Sequence, residues 1–148
     1  MDMEYVFFGN ENYDMTPADP DYSEIGNVRD FYDILIGLWR KETCAPRMRD
    51  EWSEKNRTLG QCSITAFLFQ DVFGGDVYGI PLGDGNYHCF NVLSGKIIDL
   101  TSEQFKDPLD YSVCEKQDRS LHFRKTEKKE RYELLRSLLS DYLKKLRT

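Results

Sequence analysis

The apolar positions of the chain follow two rhythms. Val28, Phe31, Tyr32, Leu35, Leu38 and Trp39 recur every three or four residues, which puts them on one face of a helix from about Val28 to Lys41. Asn27 stands just before them, and its short amide oxygen suits the free N–H groups of a first turn. A second helix is expected from Gln61 or Cys62 to Phe73. Ile64, Ala66, Phe67, Leu68, Phe69 and Val72 leave it almost no polar face, and a helix apolar all round is a buried one. Gly74-Gly75 stops it. The period then changes to two. Asp76 to Leu82, Tyr87 to Leu93 and Lys96 to Leu100 read as three antiparallel strands, joined by Gly83-Asp84-Gly85-Asn86 and by Ser94-Gly95.

Beyond the strands, Thr101 to Phe105 reads as a capped helical turn and Asp107 to Asp118 as loop. Ser120 to Arg124 reads as one more short strand. A last helix is expected from a Thr126 cap to about Leu146, with Tyr132, Leu135, Leu138, Leu139, Tyr142, Leu143 and Leu146 at core-facing spacing. The beginning of the chain is different. Residues 1–27 are acidic and interrupted by Pro17 and Pro20, an arm that Tyr5, Phe7, Phe8 and Tyr13 can pin to the domain. The expected organisation is therefore an arm over 1–27 and a single α+β domain over 28–148, with a buried helix packed on an antiparallel sheet and a long C-terminal helix.

Composition narrows the function. The chain has 148 residues, of which 40% are hydrophobic and 31% charged, enough to bury a core without staples. A net charge of −6 disfavours nucleic acid as a partner. No apolar run approaches the ~18 residues of a membrane span, and the first residues do not read as a signal peptide, so the cytosol is expected. In that reducing compartment Cys44, Cys62, Cys89 and Cys114 are expected as free thiols. No Cys–His spacing suits a structural metal, and no cofactor is called for.

Three residues carry candidate chemistry. Cys62 stands at the start of the buried helix, where unpaired N–H groups and the helix dipole favour thiolate over thiol. His88 lies at the beginning of a strand, just after a turn, and histidine is the usual base for a cysteine nucleophile. If Ser94-Gly95 is a two-residue turn, Phe90 lies opposite Asp99, and His88 and Asp99 become diagonal neighbours on one face, roughly 7–8 Å apart at Cα. A carboxylate there can orient the imidazole. Each residue also has a plainer reading: Cys62 as core filler, His88 as a satisfied histidine, Asp99 as a cap for the next turn. Gln61 is a candidate side-chain donor to substrate, and Trp52 a candidate pocket wall or packing residue. Cys89 and Asn91 should face away from His88, and His122 falls in the late strand.

The run from Leu59 through Gly60-Gln61-Cys62 to Thr65-Ala66 also carries a resemblance. So do Gln70-Asp71-Val72-Phe73-Gly74-Gly75, His88 with Asn91, and Asp99-Leu100-Thr101 with Gln104-Phe105. Together they resemble the YunG-like family of small, uncharacterised bacterial proteins over about Trp52 to Leu135. More distantly, a helix cysteine followed by a strand histidine and a strand aspartate looks like the papain-like and transglutaminase-like cysteine hydrolases. That resemblance implies a split α+β fold and thiol chemistry on an acyl or amide substrate, with Cys62 as nucleophile, His88 as base and acid, and Asp99 as orienter. The competing expectation is a non-catalytic binding or regulatory module on the same fold, acting on a protein partner.

Overall fold

The computed structural model describes residues 4–148. Helix α1 spans Val28–Leu38, and Asn27 caps it by accepting from the Asp30 N–H at 2.9 Å. It ends three residues earlier than its periodicity suggests. Trp39 turns extended there, and its indole N–H donates to Thr65 Oγ1 at 2.9 Å inside the core. Helix α2 spans Cys62–Phe73 and is buried along nearly its whole length. Gly74, at φ 89°, ends it in a backbone conformation that side chains with a Cβ rarely adopt.

Strands β1 (Asp76–Pro81), β2 (Tyr87–Leu93) and β3 (Lys96–Ile98) follow, with β4 (Glu115–Lys116) added late in the chain. They form one antiparallel sheet in the order β3-β2-β1-β4. Val77, Cys89 and Asn91 are buried. Asn91 fastens sheet to helix by donating from Nδ2 to the Ala66 carbonyl at 2.8 Å. Helix α4 (Thr126–Arg147) packs on α2 and α1, placing Leu135, Leu139 and Leu143 in the core. None of the helices among the described residues is long and apolar enough to cross a membrane.

Three local expectations fail. Ser120 to Arg124 is not a strand. The Asp118 carboxylate accepts from the Ser120 N–H and starts a short helix, α3 (Arg119–His122), while Glu115–Lys116 pairs with β1 instead. Thr126 does not cap α4, because Lys125 occupies the cap position and makes no side-chain cap bond. Thr101 does not cap the 3-10 turn Ser102–Gln104 either, because its hydroxyl is turned back toward Asp99.

The arm is well held. Phe7 is fully buried and its ring stacks on Tyr32 at 4.7 Å. Arg29 lies over the Tyr13 ring at 4.2 Å. Phe8 bridges Asp99 through backbone, the Asp99 N–H donating to the Phe8 carbonyl at 2.9 Å.

Candidate active site

The β2–β3 hairpin fixes the register. Leu93 pairs with Lys96, Val92 with Ile97 and Asn91 with Ile98 across a Ser94-Gly95 turn. Extending that register by one residue sets Asp99 across from Phe90 and diagonal to His88, on the same face. The two side chains meet there. His88 Nε2 lies 2.6 Å from Asp99 Oδ2, and both residues are 1% exposed. A carboxylate can only accept, so Nε2 carries the proton.

Asp99 is satisfied on every side. Oδ2 also accepts from the Tyr111 hydroxyl at 2.7 Å, and Oδ1 accepts from the Thr101 N–H at 3.2 Å and hydroxyl at 3.4 Å. Phe105 stands edge-on to the imidazole, with ring centres 4.7 Å apart. The ring is thus locked through one nitrogen. The other, Nδ1, is buried without a hydrogen-bond partner among the described residues.

Cys62 is the first residue of α2, at the end of the sheet where β2 begins. Its Sγ lies 3.7 Å from the Tyr87 carbonyl, one residue before His88. The first intrahelical bond is Thr65 N–H to the Gln61 carbonyl at 3.1 Å, so the N–H groups of Cys62, Ser63 and Ile64 precede the helical ladder. Gly60 makes the approach possible. Its φ is 71°, and a Cβ there would stand 2.5 Å from Cys44 Sγ. Its carbonyl accepts from the Ala45 N–H at 2.9 Å, tying the preceding loop to the helix start.

The electrostatics follow from these neighbours. The thiol of Cys89, donating toward Cys62, is the largest influence on the Cys62 sulfur. Burial opposes ionisation, His88 favours it, and the balance holds the thiol well below its ordinary 9.0. Cys89 is pushed the opposite way, by Cys62 and by burial. Burial works against charge on His88, but the bond to Asp99 and the neighbouring Cys62 outweigh it and raise the imidazole to about 10. These neighbours thus favour the thiolate at Cys62 and the charged ring at His88.

Gln61 and Trp52 lie outside the cleft, Trp52 in the packing place that was one of its two readings. Gln61 is fully buried, its amide donates to the Arg40 carbonyl at 3.1 Å, and it does not line the cleft. Its side chain is spent anchoring the loop after α1. Trp52 donates to the Arg57 carbonyl at 2.9 Å and packs against the core, also outside the cleft. Cys89 departs from expectation in another way. It is buried in the core as its parity implies, yet it also neighbours Cys62, which starts the helix packed on that strand.

Cys62 and His88 open into a cleft of about 540 Å³, walled also by α3, α4, Met48, Leu82 and Phe105. No described residue of the arm lines it. His122 does, from the end of α3. It accepts at Nδ1 from Lys128 Nζ (2.9 Å) and donates from Nε2 to Gln117 Oε1 (2.7 Å). Burial and then Lys128 lower its titration to about 4. Tyr111, His122 and Lys128 carried no usable sequence signal, because loop and helix-face residues acquire their neighbours only from the fold.

An α+β domain with a thiol, an imidazole and a carboxylate gathered beside one cleft is the class that fold and site define. The chain belongs to the YunG family, whose model, described as YunG protein, matches residues 27–144. It is similar to the uncharacterized protein YunG of Bacillus subtilis (strain 168), with 35% identity over 71 residues. That stretch spans 48% of this chain and 61% of the length of the Bacillus protein. No solved structure matches the chain.

Proposed function

We propose that the protein is a cysteine-dependent hydrolase or acyltransferase acting on an amide or other acyl substrate in the manner of the papain-like enzymes. One observation carries the reading: His88 is clamped by Asp99 through Nε2 while its buried Nδ1 is left without a partner, and His88 shares its cleft with a Cys62 whose surroundings favour thiolate. Buried polar atoms are usually paired, so an unpaired Nδ1 on a clamped ring supports a part in proton transfer.

In this reading the Cys62 thiolate attacks the substrate carbonyl, forming the S–C bond and pushing the carbonyl π pair onto oxygen. The N–H groups at the start of α2 are the donors nearest that oxyanion. His88 gives its Nδ1 proton to the leaving amine as the C–N bond breaks, which leaves a thioester and a neutral imidazole. Water, or an acceptor amine, then loses a proton to Nδ1 while attacking the thioester. Collapse of that adduct releases the carboxylic acid or the new amide and restores the thiolate and imidazolium. Asp99 holds the ring's orientation throughout, and Tyr111 and Thr101 hold Asp99.

The test uses a generic acyl donor, p-nitrophenyl acetate. The expected result is a burst of nitrophenolate, an acetyl adduct that peptide mass spectrometry places on Cys62, and loss of both in Cys62→Ser. Absence of any adduct on Cys62, with wild type and variant releasing nitrophenolate alike, overturns the reading and returns the protein to the class of binding modules.

A further inference from the structure

The part of the cleft wall built by α3 and α4 carries a polar relay that the acyl chemistry does not use. Lys128 Nζ lies 2.9 Å from His122 Nδ1, and His122 Nε2 lies 2.7 Å from Gln117 Oε1. An ammonium only donates, so Nδ1 accepts and the imidazole is neutral, with its one proton on Nε2 and given to Gln117. His122 cannot swing away freely, because its ring packs edge-on to Phe67 at 5.1 Å. Lys128 is thus a half-buried cation whose recorded partner is an uncharged ring, and it enters no ion pair among the described residues. Among the described residues that cation has no carboxylate partner, and the Cys89 and Cys62 sulfurs are the groups that favour its charge.

The acidic residues of the cleft are engaged elsewhere. Glu127 grips Arg131 with bonds of 2.6 and 3.2 Å. Glu115 accepts from the Tyr87 hydroxyl at 2.7 Å, and Asp118 caps α3. The lining as a whole holds five basic side chains against three acidic ones, in a chain whose net charge is −6. The sign of charge is reversed in the cleft that Cys62 and His88 line.

We propose that Lys128, held in place by His122 and Gln117, is the anchor for a carboxylate carried by the substrate, so that the cleft takes acidic acyl compounds. This rests on the acyl-transfer reading and names its substrate class. A carboxylate fits the vacant role: it accepts from the ammonium, needs no second metal or cation, and leaves the neutral imidazole undisturbed. Burial already lowers the Lys128 ammonium from its ordinary range, an effect that a bound anion offsets.

Reagents that differ only in this charge test the proposal. Cys62 is alkylated with iodoacetate and iodoacetamide, and with 3-maleimidopropionate and N-ethylmaleimide, each acid-to-neutral rate ratio being divided by that of N-acetylcysteine. The wild type should favour the acids, more weakly as salt rises. Lys128→Met should lower the ratio by about tenfold, the worth of one hydrogen bond to a charged group, and Lys128→Arg should retain most of it. In parallel, glutarate should move the His122 ring resonances of the wild type and not those of Lys128→Met, with neutral glutaramide moving neither. This second readout does not depend on thiol reactivity. A ratio that survives Lys128→Met, or glutarate shifts equal in both proteins, overturns the anchor. Failure of the acyl-transfer reading looks different: no acetyl adduct on Cys62, with the glutarate shifts intact.

Discussion

Replacing Asp99 with asparagine keeps the shape of the side chain and removes its charge. In the wild type the carboxylate accepts from His88 at 2.6 Å and from Tyr111 at 2.7 Å. A hydrogen bond to a charged group contributes about 1.5–3 kcal/mol and a neutral one about 0.5–1.5 kcal/mol, so the imidazolium loses on the order of 1.5 kcal/mol. One pH unit corresponds to about 1.4 kcal/mol, so the His88 midpoint should fall from about 10 by roughly one pH unit or more. Burial, which disfavours the charged ring, is the same in both proteins and is no longer outweighed as strongly in the variant. The chain has two histidines, so the ring C–H signals in a carbon–proton NMR titration are readily assigned. Wild-type His88 should stay charged to about pH 10 and His122 neutral above about pH 4. An unmoved His88 midpoint in Asp99→Asn, or a wild-type midpoint near the ordinary 6.5, would refute the reasoning.

The Cys62–His88 pair should also shape stability against pH. The raised His88 value contributes stability that is complete below 6.5 and lost as pH rises through about 10. The lowered Cys62 value contributes stability that is complete above 9.0 and lost as pH falls through its folded value. Above 6.5 the His88 contribution falls as pH rises, while the Cys62 contribution grows up to 9.0 and offsets it; above 9.0 only the fall is left, so the stability difference between wild type and a Cys62→Ala/His88→Ala protein should drop there, as urea midpoints check. Cys89→Ala should raise the Cys62 midpoint and slow its alkylation at neutral pH, while Cys89→Ser, which keeps a donor, restores much of the rate. Gly60→Ala should destabilise the fold by about 1–2 kcal/mol from its left-handed backbone alone, with the contact to Cys44 adding to that, as read from denaturation midpoints.

Helices α1, α2 and α4 and strands β1 to β3 were legible because their signals are periodic. α2 announced itself by being apolar on every side, and the two-residue turn at Ser94-Gly95 set the parity that brings His88 and Asp99 together. What the sequence hid depends on a third dimension. Tyr111 reaches Asp99 from a loop with no regular spacing, and Lys128 reaches His122 from a helix face that reads as ordinary solvated charge. That Gln61 lies outside the cleft, and that Trp52 takes the packing place which was one of its two readings, has a related reason. Both flank Cys62 in sequence or in the loop before it, but the Arg40 and Arg57 carbonyls draw their donors away from the cleft. Cys89 shows the limit of a parity argument. Alternation gives the face of a strand, and only the packing of α2 shows that its first side chain neighbours that face.

The pH dependence of iodoacetamide labelling at Cys62, in wild type and in His88→Ala, addresses the activated thiol itself. Cys44 and Cys114 serve as references in the same digest. Wild-type labelling should set in well below the ordinary 9.0 of a cysteine, and the variant should move toward that value and fall behind by at least an order of magnitude at neutral pH. Onset near 9.0 in both proteins would contradict a thiolate–imidazolium pair and leave His88 and Asp99 as a structural clamp.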